Sequence, residues 1–312
     1  MLSAVPFEVP HYLLDRAQGL DRVPMAVAGA DNMVVMESAR QATEAGLIDP
    51  VLVGDRDEIE SLAETMGWDI SAFRLIETAE EDEAASARAA VKLARDGEVL
   101  SLMKGHVHTD VLMAAVVNRD AGLRADRRLS HVFHMTVPDS DRVLMITDGA
   151  VNVHPNADTM IDIINNAVGL AHALGNPEPK VALLSGTESP IPAMPSSMQA
   201  KDIVERARAG EVTGAVVDGP FAFDNAISPE AAKFKGITSP VAGNADILAV
   251  PNIETGNGLF KMMVYFMSGL AAGVVLGAKV PIVLTSRADP PEARFAATAI
   301  AAIAATAAPS SS

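Results

Sequence analysis

Apolar residues in this chain fall into short unbroken runs rather than strict alternation. MAVAGA (25–30), PVLVGD (50–55), Val99 to Met103, HVFHMTV (131–137) and RVLMITD (142–148) are such runs in the first half, and PKVALLS (179–185), GAVVDG (214–219), ADILAVP (245–251) and VPIVLTS (280–286) in the second. Runs of this length bounded by polar turns read as strands, and unbroken burial is the mark of a parallel sheet covered on both faces. Between them the 3.6-residue pattern predicts helices at Asn32–Ala45, Asp57–Met66, Glu81–Arg95, Val111–Asn118, Thr159–Leu174, Met198–Ala209, Gly258–Gly277 and Glu292–Ala308. This alternation predicts an α/β fold of two lobes with largely parallel sheets. A chain of 312 residues suits two domains. The expected first lobe is 1–150 plus 278–312, to which the last elements return, and the second is 151–277. No internal repeat interrupts the alternation.

Met262 to Leu284 is apolar enough to raise the question of a membrane span, but Gly269, Gly273, Gly277, Lys279 and Pro281 break it up. A buried helix running into a buried strand is the expectation. The first residues, MLSAVPFEVPHYLLDR, lack the basic-then-apolar order of a secretory signal, so a cytoplasmic location is expected.

Composition narrows the chemistry. Apolar residues make up 49% of the chain but aromatics only 4%, so the core must be built from Ala, Val, Ile, Leu and Met. The formal charge of −16, with Lys and Arg scattered, sets the chain against nucleic acid as a partner; any anionic ligand must be held by a local site. With no cysteine, a disulfide framework, a cysteine-ligated zinc and a cysteine nucleophile are all excluded.

In open α/β sheets ligands bind beyond the carboxyl ends of the strands. The polar clusters there are KGHVHTD (104–110), TDGAVNVHPNA (147–157), VDGPFAFDNA (217–226), VAGNADI (241–247), PNIETGNGLFK (251–261) and TSRADPP (285–291). From them Lys104, His108, Thr109, Asn152, Asp218, Asn225, Asn244, Asp246, Asn257 and Lys261 are the candidate binding residues. In TSRADPP, Arg287 beside the Ser286 hydroxyl offers a forked donor for phosphate, and Asp289 offers a base; the same letters also read as a capped helix start. In ETGNGLFK, the amides of a helix start and Lys261 suit an anion. Neither a complete G-x-G-x-x-G fingerprint nor a Walker A loop is present. His106 and His108, with Asp110 nearby, would suit a metal but have no third ligand at motif spacing, while Asp218, Asp224 and Asp246 read either as Mg2+ ligands or as loop caps. His131 and His134, inside an apolar run, read as core histidines. Met262, Met263 and Met267 read as core or dimer-interface packing.

Taken as strings, VDGPFAFDNAISPEAAKFKGITSPVAGNADILAVPNIETGNGLFK and VPIVLTSRADPPEARFA, with KGHVHTD and TDGAVNVHPNADTMIDIINNAV upstream, resemble the phosphate acetyltransferase and phosphate butyryltransferase family over about residues 100 to 305. The resemblance implies an isocitrate/isopropylmalate dehydrogenase-like fold with an active cleft between lobes, and a homodimer. It implies acyl transfer between coenzyme A and phosphate, with coenzyme A as substrate and no metal or tightly bound cofactor. In that family a strand-end Ser-Arg pair meets the reacting phosphate and acyl groups, which here falls on Ser286 and Arg287. The family's aspartate follows a differently written sequence, so Asp289 and Glu292 compete for the role of base. Two other readings stay open: a metal-dependent dehydrogenase or decarboxylase on the same scaffold, and a non-catalytic acyl-CoA binding protein.

Overall fold

The computed structural model describes residues 5–79, 82–285 and 289–307. In chain order, α1 (His11–Gln18), β1 (Val23–Ala28), α2 (Met33–Glu44), β2 (Ile48–Gly54), α3 (Arg56–Met66), β3 (Arg74–Glu77), α4 (Glu83–Arg95), β4 (Ser101–Lys104) and α5 (Thr109–Val116) come first. There follow β5 (Ser130–Thr136), β6 (Leu144–Thr147), α6 (Ala157–Ala173), β7 (Lys180–Leu184), α7 (Pro195–Arg206), β8 (Val216–Phe221), α8 (Phe223–Ile227), α9 (Pro229–Phe234), β9 (Ile247–Ala249) and α10 (Ile253–Met267). The chain closes with β10 (Leu270–Leu276), β11 (Ile282–Val283) and α11 (Pro291–Ala307).

Packing divides these elements into two units, one of Val9–Arg127 with the stretch from Ala272 onward, the other of Arg128–Ala271 with the residues before Val9. They are called the terminal and central units here. The divisions fall at Arg127/Arg128 and Ala271/Ala272, against the expected 150/151 and 277/278. The first lies earlier because β6 pairs in parallel with β9, Met145 opposite Ile247, which carries β5 and β6 into the central unit.

In the terminal unit the strands run in the order β3-β2-β1-β4-β11-β10. All pairs are parallel except β10 with β11. Every residue of β4 is buried, as a strand covered on both faces requires. Small side chains let α11 come close: Ala296, Ala297, Ala299 and Ala301 are wholly buried, and the helix packs on α2, β4 and β11. The central unit has the order β5-β6-β9-β7-β8, with β5 antiparallel to β6 and the rest parallel. Its core joins Met135, Ile146, Ala182, Phe221 and Leu248 from the sheet to the partly buried Phe260 and Met263 of α10.

The expected helix at Gly258–Gly277 is half helix and half strand. α10 stops at Met267, where Ser268 takes a left-handed φ of 49°, and the chain continues as β10, which pairs Val274 with Val283. The seven residues of β10, apolar apart from Gly273, carry no period that separates strand from helix, and the strand is selected by its partner. Nor is α10 buried throughout, since Met262, Tyr265, Phe266 and Met267 are 50–57% exposed. Among the described residues no helix is long and apolar enough to cross a membrane. Strand β3 was not expected, being four residues of mixed exposure. His131 and His134 are both core residues at 1% exposure, as expected from their apolar run. Burial lowers both to a pKa of about 4.

Candidate active site

After β1 the chain moves outward through α2, β2, α3 and β3, then α4 carries it back so that β4 pairs with β1 on the other side. The loops leaving β1 and β4 therefore part at the switch point of the sheet, where α/β proteins bind ligands. Two glycines bring them together. A Cβ on Gly105 would stand 2.3 Å from the carbonyl oxygen of Gly29, and one on Gly29 2.9 Å from the His106 backbone. Gly29 itself has φ +73°, a conformation glycine adopts without penalty. Asn32 then starts α2, its side chain accepting from the Val34 amide at 3.1 Å.

Between these loops, β11 and α11 lies a cavity of about 140 Å³ lined by Asn32, Val34, Val35, Ser38, Met103, Lys104, Gly105, His106, Val283, Thr285, Arg294 and Thr298. Among the described residues two cations and no carboxylate line it, a local reversal in a chain of charge −16. Lys104 is 9% exposed, and its Nζ donates to the carbonyls of Val107 at 3.2 Å and Gly105 at 3.4 Å. Arg294 donates from Nε to Ser38 Oγ at 3.0 Å and from Nη1 to the Asp289 carbonyl at 2.5 Å. Its guanidinium is thus held in place by a hydroxyl and a carbonyl. At the rim, His106 Nδ1 lies 3.6 Å from Asp31 Oδ1.

Of the expected residues, Lys104 lines this cavity and Asp289 is tied to its wall through Arg294. Ser286 and Arg287 lie outside the described residues; Thr285, the residue before them, is in the lining. Glu292 stands in the first turn of α11. His108 caps α5 without a side-chain cap bond and instead engages Glu83, whose carboxylate accepts its backbone N–H at 2.8 Å and approaches its Nδ1 at 2.8 Å. These bonds, the backbone one foremost, hold the Glu83 carboxyl below the usual range. Thr109 is the exposed first residue of α5. Arg294 was not singled out from sequence, although a cation one turn into the helix after a polar strand end faces the same loop. Asn32 and Ser38 were missed because a cap and a mid-helix serine carry no distinct signal.

The other expected residues lie in the central unit, where most are used on one another. Asp148, 2% exposed, accepts from the amides of Ala150 (2.9 Å), Val151 (3.0 Å) and Asn152 (3.2 Å), and from Asn152 Nδ2 at 2.7 Å. Asn152 also donates to the Leu129 carbonyl at 2.8 Å. Asp246 accepts from the Lys180 amide at 2.8 Å. Asp218 accepts from the Gly219 amide at 3.0 Å and sits 3.5 Å from Arg208. Asn225 is wholly buried and donates to Glu188. Asn244 donates to the Ala242 carbonyl at 3.1 Å. Asn257, on α10, reaches the Gly149 carbonyl at 3.4 Å where Gly149 and Gly256 meet backbone to backbone. Lys261 extends over the Phe260 ring, which stacks on Phe133 at 3.9 Å. Among the described residues no group of three or more His, Asp or Glu is placed to hold a metal ion.

A cation-lined cavity at the switch point of an α/β sheet has the charge and position that suit a small anionic ligand. The family model for phosphate acetyl/butaryl transferases matches residues 75–302, and the chain belongs to that family. It is 44% identical to the phosphate acetyltransferase of Rickettsia prowazekii over 90% of this chain and 80% of that protein. To the phosphate butyryltransferase of Clostridium acetobutylicum it is 41% identical, over 89% and 92% of the two chains. The crystal structure of a branched-chain phosphotransacylase from Enterococcus faecalis superposes with a TM-score of 0.79 at 32% identity, covering 91% of this chain and 99% of that one.

Proposed function

We propose that this protein is a phosphate acyltransferase that moves a short acyl group (acetyl, propanoyl or butyryl) between coenzyme A and inorganic phosphate by direct attack in a ternary complex. The observation that carries the reading is the family match over 75–302, which takes in Lys104 and the loop after β4, Arg294 and the TSRADPP segment.

The coenzyme A thiol, with an unperturbed pKa of about 8.5, gives its proton to a carboxylate, and its sulfur attacks the carbonyl carbon of the acyl phosphate. A C–S bond forms and the C–O bond to phosphate breaks, with the electron pair leaving on phosphate. Asp289 or Glu292 takes the proton. Arg287 holds the phosphate that leaves, and Ser286 donates to the oxyanion. Lys104 and Arg294 supply positive charge where the phosphoryl group enters. Thr109, His108, Asn257 and Lys261, with Asn152, Asp218, Asn225, Asn244 and Asp246, make up the remaining candidate contacts to phosphate and coenzyme A. The chain has no cysteine, so no thioester to the protein intervenes. On this reading the enzyme needs no bound cofactor or metal and works in the cytoplasm as a homodimer. The exposed row Met262, Tyr265, Phe266 and Met267 on α10 supports a dimer face.

The test is release of free thiol from acetyl-, propanoyl- and butyryl-CoA with and without phosphate, with and without chelator. Release that requires phosphate and ignores chelator is expected. Absence of phosphate-dependent release with all three thioesters would overturn the reading.

A further inference from the structure

The cavity of the terminal unit has an apolar side that phosphate binding leaves unused. Besides its two cations the lining includes Val34, Val35, Met103 and Val283. Met103 and Val283 are register partners on β4 and β11 and are 3% and 1% exposed, so they form a wall fixed by the sheet. Val35 comes from the first turn of α2, and its Cγ1 lies 2.9 Å from where a Cβ on Gly105 would stand, directly over the backbone that follows β4. A charged anion gains nothing from such walls, and a short hydrocarbon does. Size narrows the occupant further. An apolar cavity of roughly 150 Å³ in another protein takes up benzene, six carbons, and this one measures about 140 Å³. A four-carbon acyl chain fits that space.

We propose that this cavity is the acyl-chain pocket of the transfer reaction, that it accepts chains of about four carbons, and that Val35 sets the length. The inference rests on the acyl-transfer reading above and adds to it the part of the substrate that selects. The acyl group lies between Val35 and the Met103–Val283 wall, with its carbonyl end toward Lys104, Arg294 and Thr285. Strand residues cannot move without disturbing β4 and β11, whereas Val35, half-buried on a helix turn, varies the depth at little structural cost.

The experiment compares kcat/KM for acetyl-, butyryl- and pentanoyl-CoA, at saturating phosphate, in the native protein, Val35→Phe and Val35→Ala. One or two methylenes in a close-fitting pocket change kcat/KM by about tenfold or more. The native protein should favour butyryl- over acetyl-CoA. Val35→Phe should lower the butyryl-to-acetyl ratio by about tenfold or more, and Val35→Ala should raise the pentanoyl-to-butyryl ratio several-fold. In both variants the KM for phosphate should stay close to native, because the cations are untouched. If Val35→Phe does not fold, Val35→Ala, which only removes volume, decides. Ratios unchanged in the folded variants, or a native preference for acetyl-CoA, would overturn the inference and leave the acyltransferase standing. Native protein silent on every thioester would overturn both, and that outcome is recognised before any variant is made.

Discussion

At the ends of β1, β4 and β11 in the terminal unit, strand-end loops meet through Gly29 and Gly105 and leave a cavity with Lys104 and Arg294 in its wall. At the end of β6 in the central unit, the loop TDGAVN folds back on itself, and Asp148 takes three amide hydrogens and the Asn152 side chain. The letters of the two loops are drawn from the same small set. They differ in what the polar atoms surround: a carboxylate ringed by backbone donors holds a turn, while Lys104 and Arg294 stand in the wall of a cavity. Polar density at strand ends therefore marks where a ligand can bind, and the hydrogen-bond partners decide where it does.

The largest contrast between the units is expected under acid. His131 and His134 both sit in β5 of the central unit, and burial lowers each to about 4. Between pH 6.5 and 4 the unfolded chain binds protons that the folded chain refuses, so stability is full above pH 6.5 and is lost as pH falls, by roughly 3 kcal/mol per histidine at the lower end. Hydrogen exchange followed by mass spectrometry at pH 7 and pH 5 should show protection falling in β5 and β6 before it falls in β1 and β4. Replacing His134 by Leu should flatten that dependence. Equal loss in both units, unaltered in the variant, would mean that carboxylates rather than these histidines govern the acid response.

Next in size is the effect of removing a cation from the cavity. Arg294→Met keeps the aliphatic stem and deletes the guanidinium. Loss of one donor that stabilises developing charge costs about 100- to 1000-fold in kcat, so a fall of that order in phosphate-dependent thiol release is expected, with a raised KM for phosphate. Arg294→Lys should recover only part, because one ammonium cannot reach Ser38 and the Asp289 carbonyl in the same fork. An Arg294→Met enzyme with near-native kinetics would assign the arginine to structure alone.

How far the sequence carries this comparison depends on the kind of information each feature needs. The β–α alternation was legible because continuous apolar runs and helical periods are local. The ending of α10 at Met267 was not, because helix and strand share the composition of 262–276 and the choice is made by pairing with β11, a contact absent from local sequence. At the cavity, Lys104 was legible as the polar residue that ends β4. Arg294 carries no distinct signal in the sequence because its partner Ser38 is far away in the chain, and the bond from the Lys180 amide to the Asp246 carboxylate is equally invisible there. Partners distant in sequence separate binding residues from structural ones, and spacing alone does not encode them.

The smallest effect should fall on stability rather than turnover, and it sharpens the distinction from the other side. Asp148→Asn preserves size but turns one acceptor oxygen into an NH2 group facing backbone donors. The Ala150, Val151 and Asn152 amides then lose part of their carboxylate acceptor. The expected cost is about 2 kcal/mol, read as a lower urea midpoint at unchanged slope. The loss should appear as earlier exchange of the Ala150, Val151 and Asn152 amides. The KM for phosphate should stay close to native, since Asn152 keeps its bond to the Leu129 carbonyl. A changed KM with unchanged stability would show that the β6 loop, like the β4 loop, faces substrate, and the division between a turn-holding and a ligand-holding strand end would then fail.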